Sequence, residues 1–160
     1  MKLTHLDESG AARMVDVSAK DVSVRTARAS GRVRLSAEAL AALRAGDTPK
    51  GDALGVARIA GIQGAKRTPD LIPLCHPIAL HGVKVDLTVD DEGVSIVATV
   101  RTADRTGVEM EALTAVTVAA LALIDMVKAL DPAASVADVR VEEKTGGKTG
   151  TWTRDRTGDP

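Results

Sequence analysis

The chain has 160 residues and a mass of 16.6 kDa, with 44% apolar and 27% charged residues. That is long enough for one domain with a sizeable core, short for two, and too apolar for a generally disordered chain. Its 21 basic and 22 acidic residues leave a net charge of −1, without the basic excess that phosphate-backbone binding normally leaves, so a polynucleotide is a poor candidate partner. The longest nearly unbroken apolar stretch, 115–124, is about half of what a bilayer span needs, and no membrane segment is expected. Residues 1–8 lack the apolar core of a secretory signal, so a cytoplasmic address is expected. Cys75 is the only cysteine, which excludes an intrachain disulfide and an all-cysteine metal cage. There is no Phe or Tyr and one Trp, while Ala and Val dominate the apolar set. Small side chains bury little area each, so elements must approach closely and self-association is expected to add burial. The chain reads as a single domain over 1–160, loose at about 1–12 and 153–160.

The first strand signal runs from Val22 to Ala27 and resumes at Arg32–Leu35 after a break at Gly31, as in a bent strand or a hairpin. Ser36 then caps a short helix that Gly46 closes. After the turn at Thr48–Asp52, Asp52 can cap a helix over 53–66. Gly55, Gly61 and Gly64 each cost that helix up to ~1 kcal/mol against Ala, so close packing must compensate. Asp70–Pro77, with Pro73 and Pro77 bracketing three residues, is expected to be a stiff loop. Residues 83–89 and 94–100 alternate around a turn at 90–93, an antiparallel hairpin with one buried face. A long helix is predicted over 109–130, ended by Asp131-Pro132, then a strand over 136–141 and a glycine–lysine tail at 144–150. The order implies an α+β fold, an antiparallel sheet with helices packed on one face.

On the long helix, Glu111, Thr114, Thr117, Asp125 and Lys128 share an arc of about 120°, the rest of the circumference being nearly all apolar. The arc is either an exposed face with an Asp125–Lys128 surface pair or a partly buried stripe lining a pocket. Glu111 and Asp125 are about 21 Å apart along a helix, too far to touch one small reacting centre from one chain. Two chains related by a two-fold axis could bring them together.

Cys75 and His76 stand on the proline-braced loop. Being adjacent, they cannot both easily reach one tetrahedral ion, and no companion spacing exists, so no metal is assigned to them or to His81. His76 can hydrogen-bond a substrate, move a proton, or bond a backbone carbonyl. Lys50, before a helix N-terminus, can hold a phosphate or be a solvated loop lysine. Lys144 and Lys148 can close on an anion or form a flexible tail. The Walker pattern fails at Glu142, where it requires Gly.

Met14–Ser18, Lys50-Gly51-Asp52, Ala57–Gln63, Asp70–Pro77, Gly107–Thr114 and Lys144–Gly150, in this order and spacing, resemble the cyclic pyranopterin monophosphate synthase family, over about residues 3–151. Gly55 and Gly64, and the extension from Arg154, depart from the family pattern. The resemblance implies a ferredoxin-like fold and a hexamer built as a trimer of dimers, with sites shared between subunits. It implies conversion of 3′,8-cyclo-7,8-dihydroguanosine triphosphate to cyclic pyranopterin monophosphate with loss of pyrophosphate, in molybdenum cofactor biosynthesis, a lyase reaction. By the same resemblance Asp125, Lys128 and Lys50 are catalytic. The resemblance also implies that Leu74, Cys75, His76, Met110, Glu111, Glu109, Lys66, Lys144 and Lys148 face the substrate. No bound cofactor is implied, although Mg²⁺ can accompany the triphosphate, and a radical S-adenosylmethionine GTP cyclase is the functional link upstream. The rival reading is a non-catalytic purine-nucleotide-binding module.

Overall fold

The computed structural model describes residues 4–155; the outermost parts of the two expected loose ends, 1–3 and 156–160, lie outside the described residues. The elements in chain order are β1 (Ser23–Arg34), α1 (Ala37–Ala45), α2 (Ala53–Lys66), α3 (Thr68–Leu71), β2 (Gly82–Val89), β3 (Gly93–Asp104), α4 (Glu109–Val127), β4 (Ser135–Thr145) and β5 (Trp152–Thr153). The strands form one antiparallel sheet in the order β2-β3-β1-β4-β5. This is the expected α+β architecture in a ferredoxin-like arrangement.

Period-two alternation decides which face is covered. Val94, Ile96, Ala98, Val100 and Thr102 of β3 are at most 1% exposed, and Ala27, Ala29 and Val33 of β1 lie beside them. The intervening residues Ser95, Val97 and Thr99 point the other way and are half-buried. Helix α4 seals the buried face with Ala112, Ala115, Val116, Ala119 and Leu123, all fully buried at helical spacing. Burying Leu123 alone contributes about 1.5–3 kcal/mol. By length and apolar composition α4 also passes as a membrane span, and the ten-residue apolar stretch understated it; more than half of its apolar window is buried inside this fold as core.

Helix α2 lies directly on α4. A Cβ on Gly61 would stand 2.9 Å from the Ala115 carbonyl oxygen, and one on Gly64 would stand 2.7 Å from Val118 Cβ. Gly61 and Gly64, which weaken α2 by propensity, are therefore what let the two helices touch, whereas Gly55 lies against the capping Asp52 carboxylate. Both caps read from sequence are present: Ser36 Oγ accepts from the Ala39 amide, and Asp52 Oδ1 accepts from Gly55 at 2.8 Å.

Several boundaries differ from the sequence expectation. Gly31 does not break β1, which is one twelve-residue strand; a Cβ there would meet Val116 Cγ1 at 2.5 Å and Val139 Cγ2 at 3.1 Å. The irregularity appears instead in the β1–β4 ladder, whose register shifts between Ser30 and Arg32. Asp70 and Leu71 belong to the short α3, so the stiff loop starts at Ile72. Helix α4 ends at Val127 with Lys128 as its cap, β3 continues to Asp104, and β4 continues to Thr145. Lys144 is thus a strand residue, held between β1 and β5 (opposite Ala27 and Trp152), rather than part of a free tail.

Candidate functional site

The two ends of α4 carry different chemistry. At its C-terminal end, Asp125 Oδ1 accepts from Lys128 Nζ at 2.7 Å and Oδ2 from Lys50 Nζ at 2.6 Å. Lys128 arrives because the helix places residues three apart on one side. Lys50 comes from the Thr48–Gly51 turn that leads into α2 and reaches the end of α4 through its side chain. The hydrogen bond from Lys128, then that from Lys50, lowers the Asp125 carboxyl from 3.8 to about 2. Asp125 is therefore an anion at neutral pH that fixes two ammonium groups side by side. All three side chains remain about half exposed in the single chain.

At the N-terminal end of α4 there is a cavity of about 380 Å³ whose lining includes Leu74, Cys75, His76, Glu109, Met110 and Glu111. The braced loop supplies the first three and the first turn of α4 the rest. Glu111 is 3% exposed. Burial raises its carboxyl pKa against the opposing pull of its own backbone amide, and the nearby Glu109 adds to the rise. Cys75 is raised by burial and then by the charge of Glu111, so this thiol is not an activated nucleophile. His76 Nε2 bonds the carbonyl of Val15 at 2.5 Å. Lys144 Nζ, reaching over from β4, pairs with Glu109 Oε1 at 2.9 Å.

A wider groove of about 720 Å³ adjoins, lined by Lys20, Ser23, Arg25, Lys148 and Thr149 among others. Lys20 lines both spaces. Arg25 spends its Nε on the Asp104 carbonyl at 3.0 Å and one terminal nitrogen on the Arg105 carbonyl at 3.2 Å, which fixes its guanidinium beside Gly147. Lys20, Arg25, Lys144 and Lys148 thus flank one region with positive charge.

The predicted stripe on α4 is buried at one end and exposed at the other. Glu111 and Thr114 are buried, Thr117 is half-buried, and both threonine hydroxyls bond back to their own helix at Met110 and Leu113. Asp125 and Lys128 are exposed. The structure joins Lys50 to Asp125 and Lys128, and separately joins Leu74, Cys75, His76, Glu109, Met110 and Glu111, with Lys144 paired to Glu109. Lys148 stands on the adjoining groove, and Lys66, exposed at the end of α2, lines neither space. Lys20, Arg25 and Arg105 were not singled out as site residues by sequence reasoning. They lie in weakly patterned segments, and only the Met14–Ser18 motif just before Lys20 hinted at that region. Among the described residues no three His, Cys, Asp or Glu groups converge as metal ligands.

A single antiparallel sheet backed by helices, with a lysine–aspartate cluster at one end of α4 and a cavity lined by Lys20, Glu109 and Glu111 at the other, defines a small α+β protein whose ionisable groups gather at the two ends of one helix. The sequence model of the MoaC family matches residues 14–147, and the chain belongs to that family. It is 70% identical to cyclic pyranopterin monophosphate synthase of Streptomyces avermitilis, over 96% of this chain and 90% of the relative. The corresponding protein of a Nocardioides species is 67% identical over 96% of each chain. Cyclic pyranopterin monophosphate synthase 2 of Mycobacterium tuberculosis is 60% identical over 96% of this chain and 92% of the relative.

Proposed function

We propose that this chain is a cyclic pyranopterin monophosphate synthase of molybdenum cofactor biosynthesis, a lyase acting on 3′,8-cyclo-7,8-dihydroguanosine triphosphate and releasing pyrophosphate. The observation that carries the reading is the Lys50–Asp125–Lys128 cluster, in which both oxygens of one carboxylate are taken by an ammonium. Closing a cyclic monophosphate requires a substrate hydroxyl to bond the α-phosphorus while its bond to pyrophosphate breaks. The hydroxyl proton must leave and the ring rearrangement needs further proton transfers. Lys50 and Lys128 are the proton-transfer groups, and Asp125 orients both. Lys20, Arg25, Lys144 and Lys148 neutralise the triphosphate and the leaving pyrophosphate. Leu74, Cys75, Glu109, Met110 and Glu111 hold the tricyclic part.

The two sets of groups sit near opposite ends of α4, Glu111 and Asp125 being about 21 Å apart along the helix axis, so one chain does not close a site around one substrate. The reading therefore requires a homo-oligomer in which the lysine–aspartate end of one copy faces the cavity end of another. Val56 and Ile59 of α2 and Leu121 of α4, at 43%, 65% and 57% exposure, supply apolar surface for such an interface.

Incubating the pure protein with the cyclic dihydro-GTP and following pterin product tests the activity. Lys128→Ala should lose about 10²–10⁴-fold in turnover with little change in binding, whereas a binding module would lose affinity alone. Mixed oligomers of Lys128→Ala and Glu111→Ala subunits should recover part of the activity. Mixed oligomers that form and stay inactive would refute the shared site.

A further inference from the structure

We propose that His76 and Arg105 are positioning residues that hold Val15–Lys20 as a strap across the cavity and thereby fix Lys20 between the two spaces. The segment from Met14 to Val22 belongs to no strand or helix. Its internal bonds are local: the Lys20 amide donates to the Val17 carbonyl at 3.0 Å, and Asp16 Oδ1 accepts from the Ser18 amide at 2.8 Å. Two side-chain bonds tie it to the rest of the described residues. His76 Nε2 meets the Val15 carbonyl at 2.5 Å, and Arg105 Nε donates to the Lys20 carbonyl at 2.9 Å.

Both anchors stand on stiffer ground than the strap. His76 lies between Pro73 and Pro77, whose rings fix φ. Arg105 directly follows β3, its amide bonded to Asp104 Oδ1 at 2.7 Å and its carbonyl accepting from Arg25. Between the anchors Val15 and Val17 turn inward and line the cavity, while Met14, Asp16 and Ser18 are exposed. A carbonyl can only accept, so His76 carries its proton on Nε2 and that nitrogen is committed to the strap. Without the anchors, few buried contacts would keep the strap in place, which is the composition of a segment that opens locally. The wall of the cavity and the location of the Lys20 ammonium then depend on the bonds that His76 Nε2 and Arg105 Nε make to the strap.

The test uses the full chain with His76→Ala, His76→Gln and Arg105→Ala. Amide hydrogen exchange over residues 14–20 and tryptic cleavage after Arg13 and Lys20 report strap opening. Each Ala variant should open the strap about tenfold more often, the effect of one lost hydrogen bond, with unchanged far-ultraviolet melting. His76→Gln, whose amide can donate to the same carbonyl, should restore most of the protection. Turnover of the cyclic dihydro-GTP should show a KM rise in Arg105→Ala larger than any fall in kcat. This last readout rests on the proposed function, whereas exchange and proteolysis do not, so failure of either idea is told from the other. Unchanged strap protection in His76→Ala, or a Gln variant no better protected than Ala, would overturn the proposal.

Discussion

Replacing Gly61 by Ala tests whether close approach of α2 and α4 holds the catalytic end of the molecule together. The new methyl would stand 2.9 Å from the Ala115 carbonyl oxygen, 3.0 Å from Ala119 Cβ and 3.3 Å from Val85 Cγ2, all inside the 3.4–4 Å of ordinary contact. The nearest obstacle is helix backbone, which cannot rotate aside, so the helices must part by roughly half an ångström and the overpacking cost lies in the upper part of its usual range, about 2–3 kcal/mol. Ala gains about 1 kcal/mol over Gly in a helix interior. The net expectation is a loss of about 1–2 kcal/mol, a Tm lower by about 2–8 °C in a chain of this size. Lys50 enters through the turn before α2 and Asp125 stands near the end of α4, so turnover should fall as well. Urea unfolding followed by far-ultraviolet circular dichroism, at fixed protein concentration, measures the loss as a lower midpoint at unchanged slope. Gly64→Ala should cost at least as much, because its new methyl would meet Val118 Cβ at 2.7 Å and Cγ2 at 2.8 Å, and a β-branched side chain in a helix has almost no rotamer freedom to move aside. A Gly61→Ala protein as stable as the parent would refute the reasoning.

Two further outcomes follow from the titrating groups. Asp125 should titrate near pH 2, and in Lys128→Ala its midpoint should move up toward 3.8, since the Lys128 hydrogen bond is the largest cause of the depression; carboxyl-carbon NMR titration reads both. Its native-state pKa is depressed, so its contribution to stability is present above about pH 4 and is lost as pH falls through about 2. Glu111 has the opposite sign. Its pKa is raised above 4.5 by burial, so the folded state holds the proton longer and stability from this group declines as pH rises from 4.5 through the raised value. Glu111→Gln should flatten that decline in denaturation midpoints measured from pH 4 to 8, and an unchanged slope would contradict the assignment.

Much of the scaffold was legible because its signals are local. Asp52 marks the start of α2 and Ser36 with Gly46 brackets α1, since a cap is satisfied within three residues of itself. The β2–β3 hairpin followed from alternation around the 90–93 turn. Gly31 was misread because a glycine that breaks a strand and one that admits a neighbouring helix look alike in sequence. β5 and the extension of β4 to Thr145 were missed because a two-residue strand has no period to detect, and Lys144 and Thr145 read as tail.

The sequence by itself determined the antiparallel sheet, the apolar helix that seals it, and the Asp125–Lys128 pair, because side-chain periodicity and i,i+3 neighbours are properties of the backbone geometry alone. Only tertiary structure decided that Lys50, 75 positions away, takes the other oxygen of Asp125, that Glu111 is buried against its charge, and that His76 serves the Val15 carbonyl. Those contacts depend on how closely separate elements pack, which here is set by the small residues between α2, α4 and the sheet and leaves no pattern along the chain.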